Sequence, residues 1–302
     1  MSLREPLVLS IQSHMVHGRS GNRSATFPLE VNGIEVDPIN TCHYSAHTAY
    51  PYLMGTVMDP AEFDTIVDGL RLNQILPKYT HLITGYLADP SIAIRIAELK
   101  KELGNSVKYF CDPVLGDVGE FYVSPECLDV IKSRLIPIAD TITPNAYEAM
   151  WLTGKEMKNP DQLLKVVDQL HNMGPKNVVI TSTEWNQRMI FFSMDNGRHQ
   201  VAIETPSLKP KFEGPGDVFT SLLLANIIKY KDDIKLIAER TVNSVYALLE
   251  RTANENREEL ALPMSAKDLI EPKIRFKCIS VEEFKSLKVK DQSVPLSSAG
   301  SH

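Results

Sequence analysis

The sequence predicts an α/β protein with a mostly parallel central sheet, helices on both faces of that sheet and an antiparallel edge. Short β-branched segments alternate along the chain with segments whose apolar residues recur at helical spacing. Several of the strand segments are apolar on both faces, which is typical of strands buried in a parallel sheet. The turn sequence Asp195-Asn196-Gly197 lies between two late strand segments and favours a hairpin, because Asn-Gly readily adopts the positive φ angles of a tight turn.

Eight segments are predicted as strands. Six of them belong to the parallel part of the sheet: Leu7–Ser10, Ile34–Asn40, His81–Tyr86, Val107–Cys111, Asp140–Thr143 and Val178–Ser182. The other two, Arg188–Phe192 and His199–Ile203, flank the turn and supply the antiparallel edge.

Helices are predicted where the apolar residues form a stripe. One stripe runs from Ile92 to Leu103. A second helix is marked by Asn159-Pro160, a cap followed by a residue that suits the first helical position, and by Gly174 at its end. Asp217–Tyr230 and Asp233–Arg251 are predicted as two long helices, and the first is almost wholly apolar and therefore buried.

The composition is that of a soluble globular protein. The 302 residues include 32 basic and 38 acidic side chains, for a net charge of −6, and 43% of the residues are hydrophobic. This mild acidic excess, without a block of Lys or Arg, argues against binding to nucleic acid or to an anionic membrane surface. We expect a single domain over residues 1–290 and a disordered tail over residues 291–302, where Ser and small residues dominate.

The chain contains four cysteines, none of them in a Cys-x-x-Cys pair: Cys42, Cys111, Cys127 and Cys278. This spacing favours reduced thiols in an intracellular protein and argues against a zinc ribbon or a disulfide framework. His43 and His47 have no third ligand at a metal-motif spacing, so they do not indicate a zinc site. The expected compartment is the cytoplasm, with the nucleus as a further location left open.

Polar residues follow the predicted strands. In an open α/β sheet, ligands bind outside the carboxyl ends of the strands, so the residues just after each strand are candidates for a site. In chain order they are Ser13, Tyr86, Asp112, Thr143-Pro144-Asn145 and Thr181-Ser182. We expect these polar groups to gather at one edge of the sheet.

The segment Gly214-Pro215-Gly216-Asp217 leads directly into the apolar helix. Glycines let the backbone approach a ligand closely, and the first turn of a helix presents unpaired N–H groups and a positive dipole end to an anion. The pattern indicates a phosphate-binding turn, with Asp217 as a base aimed at the phosphate. The alternative is that Asp217 is only the N-cap of the helix.

Carboxylates stand at two further strand ends. Asp112 and Asp117 follow a buried strand, and Mg²⁺ near a triphosphate needs only one or two carboxylates. The alternative is a turn in which Asp112 precedes Pro113 and Asp117 is solvated. Glu148 opens a helix three residues after Asn145, where it is also suited to ordinary capping.

Seven short blocks stand in a definite order along the chain: Ser10-Ile11-Gln12-Ser13-His14, Gly18 with Gly21–Leu29, Ser45-x-His47-Thr48, Leu82-x-Thr84-Gly85-Tyr86, Asp112-Pro113-Val114-Leu115-Gly116-Asp117, Thr143-Pro144-Asn145-x-x-Glu148 and Gly214-x-Gly216-Asp217. In this order the blocks resemble the pyridoxal kinases of the ribokinase-like fold. The likeness runs from about Leu7 to about Arg251. The early Gln-Ser-His and Ser-x-His-Thr blocks distinguish pyridoxal kinases from the sugar kinases of the same fold.

The resemblance implies an activity and its cofactors. The activity is ATP-dependent phosphorylation of the 5′-hydroxymethyl group of pyridoxal, pyridoxine or pyridoxamine, which salvages vitamin B6 as pyridoxal 5′-phosphate. It implies Mg²⁺ with ATP as co-substrate, a monovalent cation such as K⁺, and a homodimer.

The resemblance also implies roles for individual residues. On the vitamer side, Ser13 and Thr48 would hydrogen-bond the pyridine ring, and Tyr44 and Tyr86 would pack on it. Asp217 would contact the vitamer as the catalytic base, with Gly214 and Gly216 in the anion-binding turn. The residues implied on the nucleotide side, beside those two glycines, are Asp112, Asp117, Tyr122, Thr143, Glu148, Thr181 and Ser182. Among them, Asp112, Thr143 and Glu148 would hold the metal, and Tyr122 would belong to a flap over ATP.

The chain departs from the family pattern at several positions. Pro215 stands where the family has Thr, and because proline carries no N–H the anion-binding turn would lack one donor. Near the vitamer, Tyr44 replaces Phe, Ala46 replaces Asn and Ala49 replaces Gly. The segment from Asp117 to Tyr122 is also shorter than in longer relatives, which predicts a less complete flap.

These departures leave two alternatives open. One is a weakly active or non-catalytic paralogue that binds vitamer or nucleotide. The other is a kinase that acts on a different hydroxymethyl heterocycle, such as the pyrimidine precursor of thiamine.

Overall fold

A computed structural model of the chain describes residues 5–183, 185, 187–209 and 211–287. These residues form eleven strands. The strands are β1 Leu7–Met15, β2 Glu35–Tyr44, β3 Gly55–Val57, β4 His81–Thr84, β5 Lys108–Cys111, β6 Gly116–Asp117, β7 Glu120–Phe121, β8 Thr141–Ile142, β9 Asn177–Ile180, β10 Arg188–Met194 and β11 His199–Thr205. The predicted tail over residues 291–302 lies outside the described residues.

Nine of the strands in the described part of the chain form one sheet, in the order β11-β10-β9-β8-β5-β4-β1-β2-β3. The six strands from β9 to β2 in this order pair in parallel. β10 pairs antiparallel with both β9 and β11, which confirms the predicted antiparallel edge. At the other end β3 pairs antiparallel with β2 and adds a second such edge, which the sequence does not predict.

Ten α-helices occur within the described residues. They are α1 Asn22–Val31, α2 Pro60–Leu72, α3 Pro90–Leu103, α4 Pro125–Val130, α5 Ala146–Thr153, α6 Pro160–Asn172, α7 Pro215–Tyr230, α8 Ile234–Asn254, α9 Ala266–Ile270 and α10 Val281–Lys285. A π-helical turn, Ile131–Leu135, continues α4. None of the helices in the part of the chain that the structure describes is long and apolar enough to cross a membrane.

The helices cover both faces of the sheet, as predicted. On one face, Phe63 of α2, Ile96 of α3 and Val167 of α6 pack in one cluster with strand residues such as Leu82. On the other face, α7 and α8 pack on the later strands, and α1 joins them through Leu29. The three layers bury the apolar stripes of the helices on an apolar sheet, which is the main driving force for this architecture.

Two neighbouring strands, β1 and β2, are longer than predicted. β1 continues to Met15 rather than ending at Ser10, so the prediction that Ser13 follows the strand is wrong: it lies inside the strand. β2 continues to Tyr44 rather than ending at Asn40. The extensions are polar, Gln12-Ser13-His14 in β1 among them, and this polarity hides them from a search for apolar segments.

Most of the described helices start on a side chain that caps them, but α1, α7 and the short α9 do not. Within the described residues, seven helices have an Asp, Asn or Ser side chain that accepts hydrogen bonds from the first turn. α1 follows Gly21 and α7 follows Gly214, and neither has a side-chain cap. α7 thus begins two residues before the predicted start at Asp217, and the alternative that Asp217 is the N-cap is wrong.

Candidate active site

The predicted site residues are distributed along one edge of the sheet. Asp112, Thr143 and Thr181 each follow a parallel strand, β5, β8 and β9 respectively, at its carboxyl end. Backbone hydrogen bonds join these strand ends, since Thr143 N–H donates to Cys111 O and Thr181 N–H donates to Pro144 O. The first turn of α7 faces the same edge, because a Cβ atom added to Gly216 would lie 3.5 Å from Asp112 Oδ2.

Gly214 starts α7 in a conformation that only glycine adopts readily. Its φ is +83°, and an added Cβ atom would lie 1.8 Å from Arg19 O. The loop before α1 therefore presses directly on the start of α7. Pro215 occupies the first helical position, which suits its fixed φ, so the amides of Gly216 and Asp217 are the ones that α7 presents in its first turn.

Replacing Gly214 with Ala is expected to destabilise the fold by more than backbone strain alone. A positive φ costs a non-glycine residue about 1–3 kcal/mol, and here the backbone of Arg19 must also move. Gly154 is the matched control, since its φ is +70° and nothing lies within 4 Å of an added Cβ. Chemical denaturation should give a larger loss in the free energy of unfolding for Gly214→Ala than for Gly154→Ala. Equal losses would show that the contact with Arg19 is dispensable.

Asp217 lies in the first turn of α7 and is held by a backbone amide from another element. Gly21 N–H donates to Asp217 Oδ2 at 2.7 Å. Burial raises the pKa of the Asp217 carboxyl to about 6, the Gly21 amide opposes this rise, and the charge of Glu213 adds to it. The carboxylate is therefore fixed in place, and at neutral pH it is ionised and able to accept a proton.

Asp112 is a buried carboxylate at the end of β5. Burial is the main cause that raises its pKa, and the charge of Asp217 raises it further, whereas Thr143 and Thr220 stabilise the ionised form by hydrogen bonds. Thr220 Oγ1 lies 2.8 Å from Thr143 Oγ1 and donates to Asp112 Oδ2 at 3.4 Å. Thr220 thus ties α7 to the ends of β5 and β8.

Glu148 serves as a capping residue and also lies beside Asp112. Its Oε2 accepts a hydrogen bond from Asn145 N–H, and Asn145 Oδ1 accepts one from Glu148 N–H, so the capping alternative for Glu148 is present. Its other oxygen, Oε1, accepts from Leu115 N–H at 3.0 Å. Burial and the charge of Asp112 raise the pKa of this buried carboxyl well above its usual value. A cation close to both carboxylates would relieve this cost.

The pair of carboxylates fits Mg²⁺ better than a metal held by protein alone. Within the described residues, no group of three or more His, Cys, Asp or Glu side chains could hold a metal ion. Mg²⁺ is usually held by one or two carboxylates together with phosphate oxygens and water. Asp112 and Glu148 are therefore the carboxylates that could hold Mg²⁺ together with phosphate oxygens.

Asp117 and Tyr122 lie in a short hairpin above this edge. β6 and β7 are joined by Val118 and Gly119, whose φ angles are +51° and +84°. Asp117 Oδ2 lies 3.9 Å from Lys211 Nζ, and Tyr122 is 47% exposed. The hairpin holds Tyr122 at the surface next to Asp117, whose charge contributes to the raised pKa of the Tyr122 hydroxyl, after burial.

The predicted vitamer residues are brought together only in part. An added Cβ atom at Gly21 would lie 2.4 Å from Ser13 Oγ, so Ser13 lies beside the amide that holds Asp217. Tyr44 and Tyr86 are close enough that the charge of Tyr44 helps to raise the pKa of Tyr86 to about 12, after burial. Thr48 is exposed in the loop after β2, and the hydrogen bonds of its neighbours His47 and Tyr50 run to Glu259 instead.

Sequence reasoning misses three groups that shape the site. Gly21 supplies a backbone amide, which no side-chain pattern reveals. Thr220 lies one turn after Asp217 and on the same face of α7, so helical periodicity could have indicated it. Gln12 contacts Gly85, where an added Cβ atom would lie 2.4 Å from Gln12 Oε1 and 3.4 Å from Asp217 Oδ1.

Known proteins resemble this chain in both sequence and fold. Residues 72–257 match the family model described as phosphomethylpyrimidine kinase. The human pyridoxal kinase is 35% identical over 88% of this chain and 96% of its own length. The pyridoxal kinase of Dictyostelium discoideum is 38% identical over 90% of this chain and 98% of its own length.

A solved structure agrees with these relatives. The pyridoxal kinase from Leishmania donovani in complex with ADP and pyridoxine superposes with a TM-score of 0.84. It is 30% identical, and the match covers 91% of this chain and 99% of that one. Sequence blocks, sheet order and whole-chain similarity agree, and this chain therefore belongs to the pyridoxal kinase family of the ribokinase-like superfamily.

Proposed function

We propose that this chain transfers the γ-phosphoryl group of ATP to the 5′-hydroxymethyl group of pyridoxal, pyridoxine or pyridoxamine. One observation carries the proposal: Asp217 is fixed by the Gly21 amide beside the uncapped start of α7. A primary alcohol is a poor nucleophile at neutral pH. The rate therefore rises when a carboxylate lies within hydrogen-bond reach of the alcohol and when the alcohol is placed in line with the phosphoryl group.

The start of α7 would stabilise the charge that develops during transfer. In phosphoryl transfer the negative charge spreads over the equatorial oxygens of the transferring group. The amides of Gly216 and Asp217 point out of the first turn, where a helix also presents its positive dipole end. These groups are in place before the reaction, so they stabilise the transition state without reorganisation.

We also propose that Asp112 and Glu148, with Thr143 nearby, hold Mg²⁺ together with the nucleotide. When bound, the ion would neutralise charge on the phosphates. Thr181 and Ser182 follow β9 next to Thr143-Pro144-Asn145, where they would contact the phosphates and a monovalent cation such as K⁺. Asp117 and Tyr122 would border the nucleotide from the β6–β7 hairpin.

The second candidate function is phosphorylation of a hydroxymethyl pyrimidine. It is favoured by the matched family model, but that match spans residues 72–257 and leaves out Ser13, Tyr44 and Thr48. These three residues belong to the part of the chain that the resemblance assigns to the vitamer. The whole-chain similarity to pyridoxal kinases, which includes that part, favours the B6 vitamers.

A substrate panel tests the proposed function. Purified protein with ATP and Mg²⁺ is incubated separately with the three B6 vitamers and with the hydroxymethyl pyrimidine precursor of thiamine, and the phosphorylated products are separated by chromatography. We expect pyridoxal 5′-phosphate from pyridoxal, and no product when a chelator removes the metal. Turnover of the pyrimidine alone would overturn the B6 proposal, and a folded protein inert towards every substrate would support the non-catalytic alternative.

The rate is expected to fall in acid through protonation of Asp217. Its pKa is raised to about 6, and the base acts only in its ionised form. The kcat/KM for the vitamer should therefore be constant above this pKa and should decline about tenfold for each pH unit below it. Assays in a single buffer series of constant ionic strength check this. A profile that stays flat down to pH 4.5 or so would contradict the role of Asp217 as base.

We propose a homodimer on the basis of an exposed apolar segment. Tyr52 and Met54 are 81% and 71% exposed, and they stand just before β3, the edge strand of the sheet. An exposed edge strand with apolar neighbours is a surface that a second copy can cover. Sedimentation equilibrium measures the mass in solution, and a monomer at assay concentrations would contradict the proposal.

A further inference from the structure

Glu259 joins three segments that are distant in the sequence, and it has no role in the site described so far. Its Oε2 accepts a hydrogen bond from Arg19 N–H at 2.8 Å. Its Oε1 accepts one from Tyr50 Oη at 2.9 Å and lies 2.8 Å from His47 Nε2. The His47 and Glu259 side chains are only 9% and 17% exposed. Water therefore cannot easily replace a partner that is removed.

The backbone before Arg19 lies directly on this cluster. An added Cβ atom at Gly18 would lie 2.7 Å from His47 Cδ2 and 3.1 Å from Glu259 Oε2, and the φ of Gly18 is +99°. Only glycine allows both the close approach and this backbone conformation. The loop over residues 17–21 is thus packed against Glu259 and not merely tethered by one hydrogen bond.

The other end of the same loop reaches the catalytic carboxylate. Arg19 O packs against Gly214, the residue that starts α7. Gly21 N–H, two residues further on, donates to Asp217 Oδ2. A continuous path of contacts therefore runs from Glu259 through Arg19 to Gly21 and Asp217.

We propose that Glu259 is a positioning residue for phosphoryl transfer. By fixing the loop over residues 17–21, it holds the Gly21 amide where that amide orients Asp217 towards the alcohol. Glu259 also contacts His47 and Tyr50. It therefore holds the loop that carries these two residues and Thr48 against the loop over residues 17–21. The proposal rests on the proposed kinase function, because it assigns Glu259 a part in orienting the base of that reaction.

Replacing Glu259 tests the proposal through kcat. A misplacement of about 1 Å can cost roughly 100-fold in rate, so Glu259→Ala should lower kcat by about that factor and leave the KM for ATP unchanged. Glu259→Gln should recover most of kcat, since its amide oxygen still accepts from Arg19 N–H. The matched control is Glu258→Ala, which removes an exposed neighbouring carboxylate and should behave as wild type.

A double-mutant cycle separates positioning from general stability. If Glu259 acts by orienting Asp217, then Glu259→Ala should cost little further activity in a protein that already carries Asp217→Asn. A similar fall in kcat in both backgrounds would overturn the proposal. Should Glu259→Ala fail to fold, Tyr50→Phe removes one hydrogen bond to the same carboxylate. This variant should lose less kcat, and its loss should again be non-additive with that of Asp217→Asn. Additive losses in kcat would overturn the proposal.

Wild-type turnover, measured in the same series, separates a failure of the proposed kinase function from a failure of the role of Glu259. A folded wild type that phosphorylates no vitamer would overturn the kinase function and the role of Glu259 with it. An active wild type whose Glu259→Ala variant keeps its full kcat would overturn the role of Glu259 alone.

Discussion

Asp217→Asn is expected to lower the kcat for vitamer phosphorylation by about 100- to 10,000-fold, the usual contribution of a positioned general base. The Asn side chain has the same size, and its oxygen can still accept the hydrogen bond from Gly21 N–H. The variant should therefore fold and bind ADP as wild type does, because what it loses is the capacity to take a proton. Steady-state kinetics with ATP in excess, together with ADP titration calorimetry, measure the two properties separately.

Glu213→Gln is the matched control for this change. Glu213 is also a carboxylate near the start of α7, but it is exposed, and its charge acts on Asp217 only from a distance. It should keep most of the wild-type kcat. A loss equal to that of Asp217→Asn would mean that the negative charge near this helix matters more than the position of the base.

Pro215→Thr is expected to raise kcat, by up to about 100- to 1,000-fold if the amide it restores points at the transferring phosphoryl group. Proline at the first position of α7 supplies no N–H, so this helix begins with one donor fewer than the family pattern provides. Pro215→Ala restores the N–H without a hydroxyl group. Similar gains for the two variants would assign the effect to the amide, and a gain for Thr alone would assign it to the hydroxyl.

The two variants at Pro215 are expected to fold. Proline at a helix start stabilises mainly by restricting the unfolded chain, so its loss should cost only about 0.4–1 kcal/mol. Thermal unfolding checks this. Turnover that stays at the wild-type level in both folded variants would show that the missing amide does not limit the rate.

The sequence predicts the layers and the parallel order of the fold because those features depend on apolar patterning. The helix at Asn159-Pro160 and the hairpin at Asp195-Asn196-Gly197 are confirmed, since caps and turns are set by a few local residues. The sequence does not predict β3 or the ends of β1 and β2. These segments lie at a polar edge of the sheet, where backbone pairing with a neighbouring strand, rather than apolar burial, defines the strand.

The site is predictable where a side chain does the chemistry and not where the backbone does. Asp112, Glu148 and Asp217 stand out as carboxylates at strand ends and at a helix start. The amide of Gly21 contacts Asp217 across 196 residues of sequence, and the carboxylate of Glu259 contacts the amide of Arg19 across 240 residues. Such tertiary contacts follow from the folded topology and leave no local pattern.

The glycines that precede α1 and α7 have a further thermodynamic consequence. A side-chain cap stabilises a helix start by roughly a few tenths of a kcal/mol more than glycine does, and the two helices that converge on Asp217 lack such a cap while seven other described helices have one. An anion that docks at α7 does not have to displace a capping side chain, and it accepts hydrogen bonds from the amides of the first turn. Nucleotide that binds at α7 should therefore raise the melting temperature, and the rise should increase with nucleotide concentration.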